Sequence, residues 1–289
     1  MRGDEASSAR SGVWPTARWI GGCGIAAVVL GAAVWSMWLP GDSPQSLTVV
    51  AEDLERDGAV PQAFERAVDA LAGASARNVG SVWILQRLHR TFRDQRLGDF
   101  IGRGVEDLHA NDAISLIDPR AAKVHLPEHP GRGFERFATY VLAPLGLPET
   151  RAIEFLTAFL ADDERGYVQT HQLLGLEWAK EAGLDLPDLL LGRIPILLAR
   201  ITVEQNADPS FSDLFAERAA ILLAFASPSR ADAARWVAII LGAQEADGSW
   251  VDAQGVALAY DGAHATTRHP RPHTTAFAAA ALGFYLDRS

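Results

Sequence analysis

Three histidines stand close together near the C-terminus, His264, His269 and His273. Imidazole changes charge near neutral pH and is the commonest metal ligand, so this run is a candidate centre for metal binding or acid–base work. His273 follows Pro272 at the expected start of a helix. Unpaired backbone N–H groups and the helix dipole disfavour imidazolium there and keep a neutral ring available as ligand or base. The plain alternative is a helix-capping histidine, with His264 and His269 solvated in the preceding loop. His171 lies in Tyr167-Val168-Gln169-Thr170-His171-Gln172, early in another expected helix. With His264 and His273 it would form a histidine site for a divalent metal. Alone it would be a half-buried ring bonded to a backbone carbonyl. Asp162, Asp163 and Glu164 precede the same helix. Paired carboxylates act as general acid and base in glycoside hydrolysis and lyase chemistry, so Asp163 joins His171 and His273 as a candidate catalytic group. A solvated helix end is the simpler reading. His125 and His129 make a further candidate metal pair. A divalent metal is the one cofactor these residues suggest; no glycine-rich phosphate loop, nucleophile elbow or His-Glu-x-x-His helix is present.

The elements that must position these groups read as helices. From residue 46 onward apolar residues recur at spacings of three and four, which predicts helices over 46–57, 60–75, 79–109 (broken), 148–161, 167–182, 186–206, 212–225, 229–246 and 272–287. In 229–246, Ala233, Trp236, Val237, Ile240 and Leu241 share a face from which Arg230, Asp232 and Arg235 are absent. Ser227-Pro228 and Leu147-Pro148-Glu149 carry helix-start chemistry, and Gly166 and Gly183 fall at expected helix ends. The run 186–206 is apolar over most of its surface, which predicts a helix inside the bundle, kinked at Pro195. Residues 110–147, with four prolines, are the least regular stretch and read as a long loop over a cavity.

The first forty residues differ in kind. Trp19 to Leu39 contains no charge and is long enough to cross a bilayer, with Trp14, Trp19, Trp35 and Trp38 at its ends. Arg2, Arg10 and Arg18 precede it, and Asp42, Glu52 and Asp53 follow. The positive-inside bias therefore gives a cytoplasmic tail over 1–18, a transmembrane signal anchor over 19–39 and an extracytoplasmic domain over 40–289 in a single-pass cell-membrane protein. The end of the segment offers no good small-x-small cleavage site, which favours retention of the anchor over a cleaved signal peptide. The 289 residues carry 26 basic and 36 acidic side chains, a net charge of −10, which excludes counterion-driven nucleic-acid binding. One cysteine, Cys23, excludes an intramolecular disulfide and any multi-cysteine metal site.

The most specific pattern is Gln244-Glu245-Ala246-Asp247-Gly248-Ser249-Trp250, followed after a loop by His273-Thr274-Thr275-Ala276 and a small-residue helix. Asp-Gly favours a turn, Gln can bond exposed backbone at a helix end, and Trp can cover a seam. The pattern resembles the QW-type signature of α/α-toroid proteins, the triterpene cyclases and protein prenyltransferases among them. The resemblance covers about fifty residues and implies an all-α, α/α-toroid-like array of helical hairpins, with Gln244, Asp247, Gly248 and Trp250 as its structural motif. The chemistries of those families do not carry over. The chain has no Asp-x-Asp-Asp, Asp162-Asp163-Glu164-Arg165-Gly166 fails the Asp-Asp-x-x-Asp pattern at its last position, and the expected domain lacks the prenyltransferase zinc cysteine. The stretch 212–286, beginning Ser212-Asp213-Leu214-Phe215, is also similar to an uncharacterised family of secreted proteins, to which no activity attaches.

Two functions fit these readings. The first is a membrane-anchored binding or assembly module, with His171, His264 and His273 as metal ligands. The second is a hydrolase or lyase acting on a glycan or other envelope substrate from a histidine site at the toroid mouth. The membrane is the expected partner through the anchor; the small-molecule, glycan or protein partner is open.

Overall fold

The computed structural model describes residues 58–74, 79–108, 149–181, 183–251 and 272–288. The chain divides into two units, Met1–Ser43 and Pro44–Ser289, and all described residues belong to the second. They form α1 (Ala59–Ala72), α2 (Val79–Phe92), α3 (Gln95–Leu108), α4 (Glu149–Leu160), α5 (Tyr167–Glu181), α6 (Asp188–Leu191), α7 (Arg193–Ala207), α8 (Asp213–Phe225), α9 (Arg230–Gly242) and α10 (Pro272–Leu286). No strand occurs among them, and the described chain is all-α. No described helix is long and apolar enough to cross a membrane; the expected anchor, 19–39, lies outside the described residues, as do 46–57 and 110–147.

Local chemistry sets the helix ends. The break in 79–109 falls at Arg93, whose φ of 54° no helix continues through. Asp94 then restarts the chain as its side chain accepts from the Arg96 amide at 2.8 Å. Ser212 opens α8 by accepting from the Phe215 amide at 3.0 Å. At α9 the cap is Ser229, which accepts from the Asp232 amide at 3.0 Å, two residues after the expected Ser227. Gly183 closes α5 at φ 79°, with its own amide bonded to the Lys180 carbonyl and the Leu184 amide to that of Ala179. Gly166, also at positive φ, precedes the first turn of α5.

The expectation for 186–206 is corrected. The segment breaks at Gly192 into α6 and α7, and Pro195 sits in the first turn of α7, where a missing N–H breaks no helical bond. It is not interior. Leu197, Ile201 and Gln205 are buried, whereas Leu189 and Val203 are 78% and 68% exposed. Apolar content alone misplaced it.

The interior helices are α8 and α10. Every residue from Thr274 to Tyr285 is buried, and α10 packs against α8, α1, α2 and α9. Its alanines allow this close approach. At Gly283 an added Cβ would lie 2.3 Å from Leu88 Cδ1 and 3.1 Å from Phe64 Cε2. Contacts run round a closed circuit of four helices. Trp83 of α2 meets Trp178 of α5 edge-on at 5.4 Å, and Thr170 of α5 donates to Glu217 of α8. His273 of α10 donates to Asp213 of α8, and Leu88 of α2 abuts Gly283. Near the C-terminal ends of α5 and α8 the circuit is filled by apolar rings, with Trp83 stacked on Phe225 at 5.9 Å. At the N-terminal ends of α5, α8 and α10 it is polar.

Candidate functional site

Three helix starts deliver the polar groups. Asp213 and Glu217 lie one turn apart on one face of α8, Tyr167, Thr170 and His171 occupy the first turns of α5, and His273 and Thr274 begin α10. Helix N-termini carry partial positive charge, which favours the carboxylates here.

Asp213 is the hub. Its Oδ2 accepts from the Tyr167 hydroxyl at 2.8 Å, and its Oδ1 accepts from His273 Nδ1 at 2.9 Å and from the Thr274 hydroxyl. Burial alone would raise this carboxyl. The charge of His273, with the hydrogen bonds from His273, Thr274 and Tyr167, outweighs burial and holds Asp213 well below the usual carboxylate range.

Glu217 is placed otherwise. It is 1% exposed, and Thr170 donates to its Oε1. Its Oε2 lies 4.0 Å from His273 Nε2, while Oε1 lies 3.9 Å from His171 Nδ1. A carboxyl group buried this deeply must be met by hydrogen bonds or by opposite charge, and these two imidazoles are the groups that face it. His171 donates from Nδ1 to the Tyr167 carbonyl, and His171 and His273 are 21% and 24% exposed, so solvent reaches the rim of a cluster whose acids are sealed. One ligand atom each from Asp213, Glu217 and His273 falls within 4.8 Å of the others.

No protein family, curated protein or solved structure matches this chain. The site therefore rests on its own geometry.

His171 and His273 flank the same buried glutamate from two helices. His264 lies outside the described residues, as do His125, His129 and His269. Asp163 does not join the cluster. Its side chain is 83% exposed and pairs with Arg200 at 3.0 Å, because it sits in the open turn between α4 and α5. Asp213 and Glu217 were missed as site residues. Their signal was present: two acids four residues apart open a helix, DLFAERAAILLAF, that is otherwise nearly all apolar. Charges in a helix buried on most sides must meet partners from neighbouring elements.

The motif residues at 244–250 serve packing. Gln244 donates from Nε2 to the carbonyls of Ala63 at 2.9 Å and Gly248 at 3.1 Å, and its Oε1 accepts from Arg66 at 2.5 Å. Asp247 accepts from the Ser249 amide at 3.0 Å and hydroxyl at 2.6 Å, which lowers its carboxyl below the ordinary value. Gly248 has φ 86°, and a Cβ there would stand 2.3 Å from the Arg66 carbonyl oxygen. Trp250 is fully buried, donating from Nε1 to the Ile240 carbonyl at 2.8 Å. The turn thus ties α9 to α1.

Proposed function

We propose that the chain is a membrane-anchored, extracytoplasmic binding module with an α/α-toroid-like body, in which α2, α5, α8 and α10 form the inner set. It takes up its ligand at the mouth formed by Asp213, Glu217, His171 and His273. The closed circuit of contacts among those four helices supports the toroid reading, and the uncharged run from Trp19 to Leu39 supports the anchor. The observation that carries the binding reading is the contrast across the circuit. Among the described residues its middle is filled by the alanines of α10 and the rings of Trp83, Trp178 and Phe225, and the polar groups gather at one rim. Such a rim suits capture of a small, positively charged ligand better than enclosure of an extended glycan.

One observation favours the hydrolase or lyase reading. His273 donates to a buried Asp213, and a carboxylate-oriented imidazole is the arrangement of a general base. The detergent-solubilised full chain, incubated with acidic and neutral envelope polysaccharides, separates the two by the appearance of new reducing ends or unsaturated products. The binding reading expects none. Turnover that disappears in His273→Ala would replace it with the enzyme.

A further inference from the structure

We propose that Glu217 and His273 are the inner ligands of a divalent transition-metal site, with Asp213 orienting His273 from behind and water completing the coordination. This rests on the binding reading above and names its ligand.

The ligand types come first. A buried carboxylate beside an imidazole is a mixed oxygen–nitrogen donor set, which suits zinc, cobalt, manganese or iron(II); calcium and magnesium prefer all-oxygen shells. The tautomer is settled by Asp213. His273 gives its Nδ1–H to that carboxylate at 2.9 Å, so a neutral ring carries its lone pair on Nε2, the atom that faces Glu217. A carboxylate holding the far nitrogen of a ligating histidine is the recurring outer partner of protein metal sites, fixing the ring and raising its basicity.

The spacing also fits. Nε2 and Oε2 stand 4.0 Å apart, too far for a hydrogen bond. Two ligands each about 2.1 Å from one ion can be separated by at most about 4.2 Å, so a cation fits between them at a wide angle, and a small side-chain adjustment closes it. Glu217 is the group a cation would meet: a carboxylate on a residue 1% exposed, with Thr170 donating to its Oε1 and the imidazoles of His273 and His171 standing 4.0 and 3.9 Å from its oxygens. A cation there would stand against the buried carboxylate in place of the proton that the facing imidazole would otherwise carry. His171, 3.9 Å from the other oxygen, stands at the solvent side, where water or an incoming ligand would complete the shell.

The test is titration of zinc(II) and cobalt(II) into the full chain, untagged, in detergent, after EDTA treatment and dialysis. Calorimetry and the cobalt visible spectrum are the readouts. One equivalent should bind with micromolar-range affinity and resist millimolar magnesium and calcium. Glu217→Gln, which keeps the size of the side chain and its acceptor for Thr170, should weaken binding at least a hundredfold, and His273→Ala should do the same. Asp213→Asn should weaken binding by roughly 10- to 100-fold and alter the cobalt spectrum without abolishing it. Circular dichroism of Glu217→Gln matching the wild type shows that the loss is local. No saturable binding by the wild type, or binding that survives Glu217→Gln and His273→Ala because Cys23 or another group supplies it, overturns the proposal. Either result leaves the polysaccharide assay to judge the binding module independently.

Discussion

The turn at 244–250 and the helix starts at Tyr167, Asp213 and His273 both insert polar groups into an apolar bundle, and they complete their bonding in different ways. In the turn, Gln244 spends its amide on two carbonyls and its oxygen on Arg66, and Trp250 spends its N–H on the Ile240 carbonyl. Those partners are mostly neutral and mostly backbone. At the helix starts the acceptors are two buried carboxylates, one with three donors and the other with one. A network whose capacity is used up can only hold the fold. A buried charge with unused acceptor capacity can also receive a ligand. The turn is therefore architectural, and the proposed site lies at the helix starts outside it.

The sharpest way to break this contrast is Gly248→Ala. The substitution forces a side chain into positive φ and drives its Cβ to 2.3 Å from a backbone carbonyl that cannot move aside cheaply. We expect a loss of about 3 kcal/mol or more in stability, combining backbone strain with overpacking. It should appear as a large fall in the urea midpoint of the full chain. Zinc affinity measured on the molecules that remain folded should not change. A drop in affinity without a drop in stability would mean that the turn belongs to the site after all.

Acid titration probes the other region. Because Asp213 has its carboxyl held well below its ordinary value in the folded chain, the unfolded chain takes up that proton first. The stability this confers is complete above roughly pH 5 and is lost progressively as pH falls through the unfolded value of about 3.9 toward the lower folded one. Asp213→Asn removes the titrating group. The variant should be less stable than wild type at pH 7 by about 3 kcal/mol, since it disrupts a buried ion pair, and the gap should narrow steadily between pH 5 and pH 2. Urea midpoints of both proteins across that range give the comparison, and a gap independent of pH would show that the Asp213 charge is not what matters.

The periodicity of the chain made the helices legible, and several starts and stops were legible from caps and glycines, because these are local effects within one turn. What periodicity could not convey is depth. The run 186–206 carries nine Leu and Ile residues in its first sixteen, yet it forms outer helices, whereas α10 is sealed because its alanines and Gly283 let neighbours approach closely. Burial depends on partners distant in the chain. The same limit governs the site. His171 and His273 stood out by residue type, but Asp213 and Glu217 gained meaning only when α5 and α10 met α8 across 46 and 60 residues of sequence. Isolated acids in an apolar helix were the available clue.

Asp163 tests the lower end of the scale. By sequence it belongs to the most conspicuous acidic cluster, Asp162-Asp163-Glu164, immediately before the helix that carries His171. In the structure it reaches Arg200 across open solvent. An exposed ion pair of this kind gains little attraction in water and gives up side-chain entropy to hold its geometry. Asp163→Ala should change stability by less than about 0.5 kcal/mol and leave zinc affinity, and any polysaccharide turnover, within twofold of wild type. The comparison between buried and solvated carboxylates stands on that null effect beside the large one at Glu217. If Asp163→Ala abolished either readout, proximity in sequence would have been the better guide, and the α4–α5 corner would have to fold over the mouth when ligand binds.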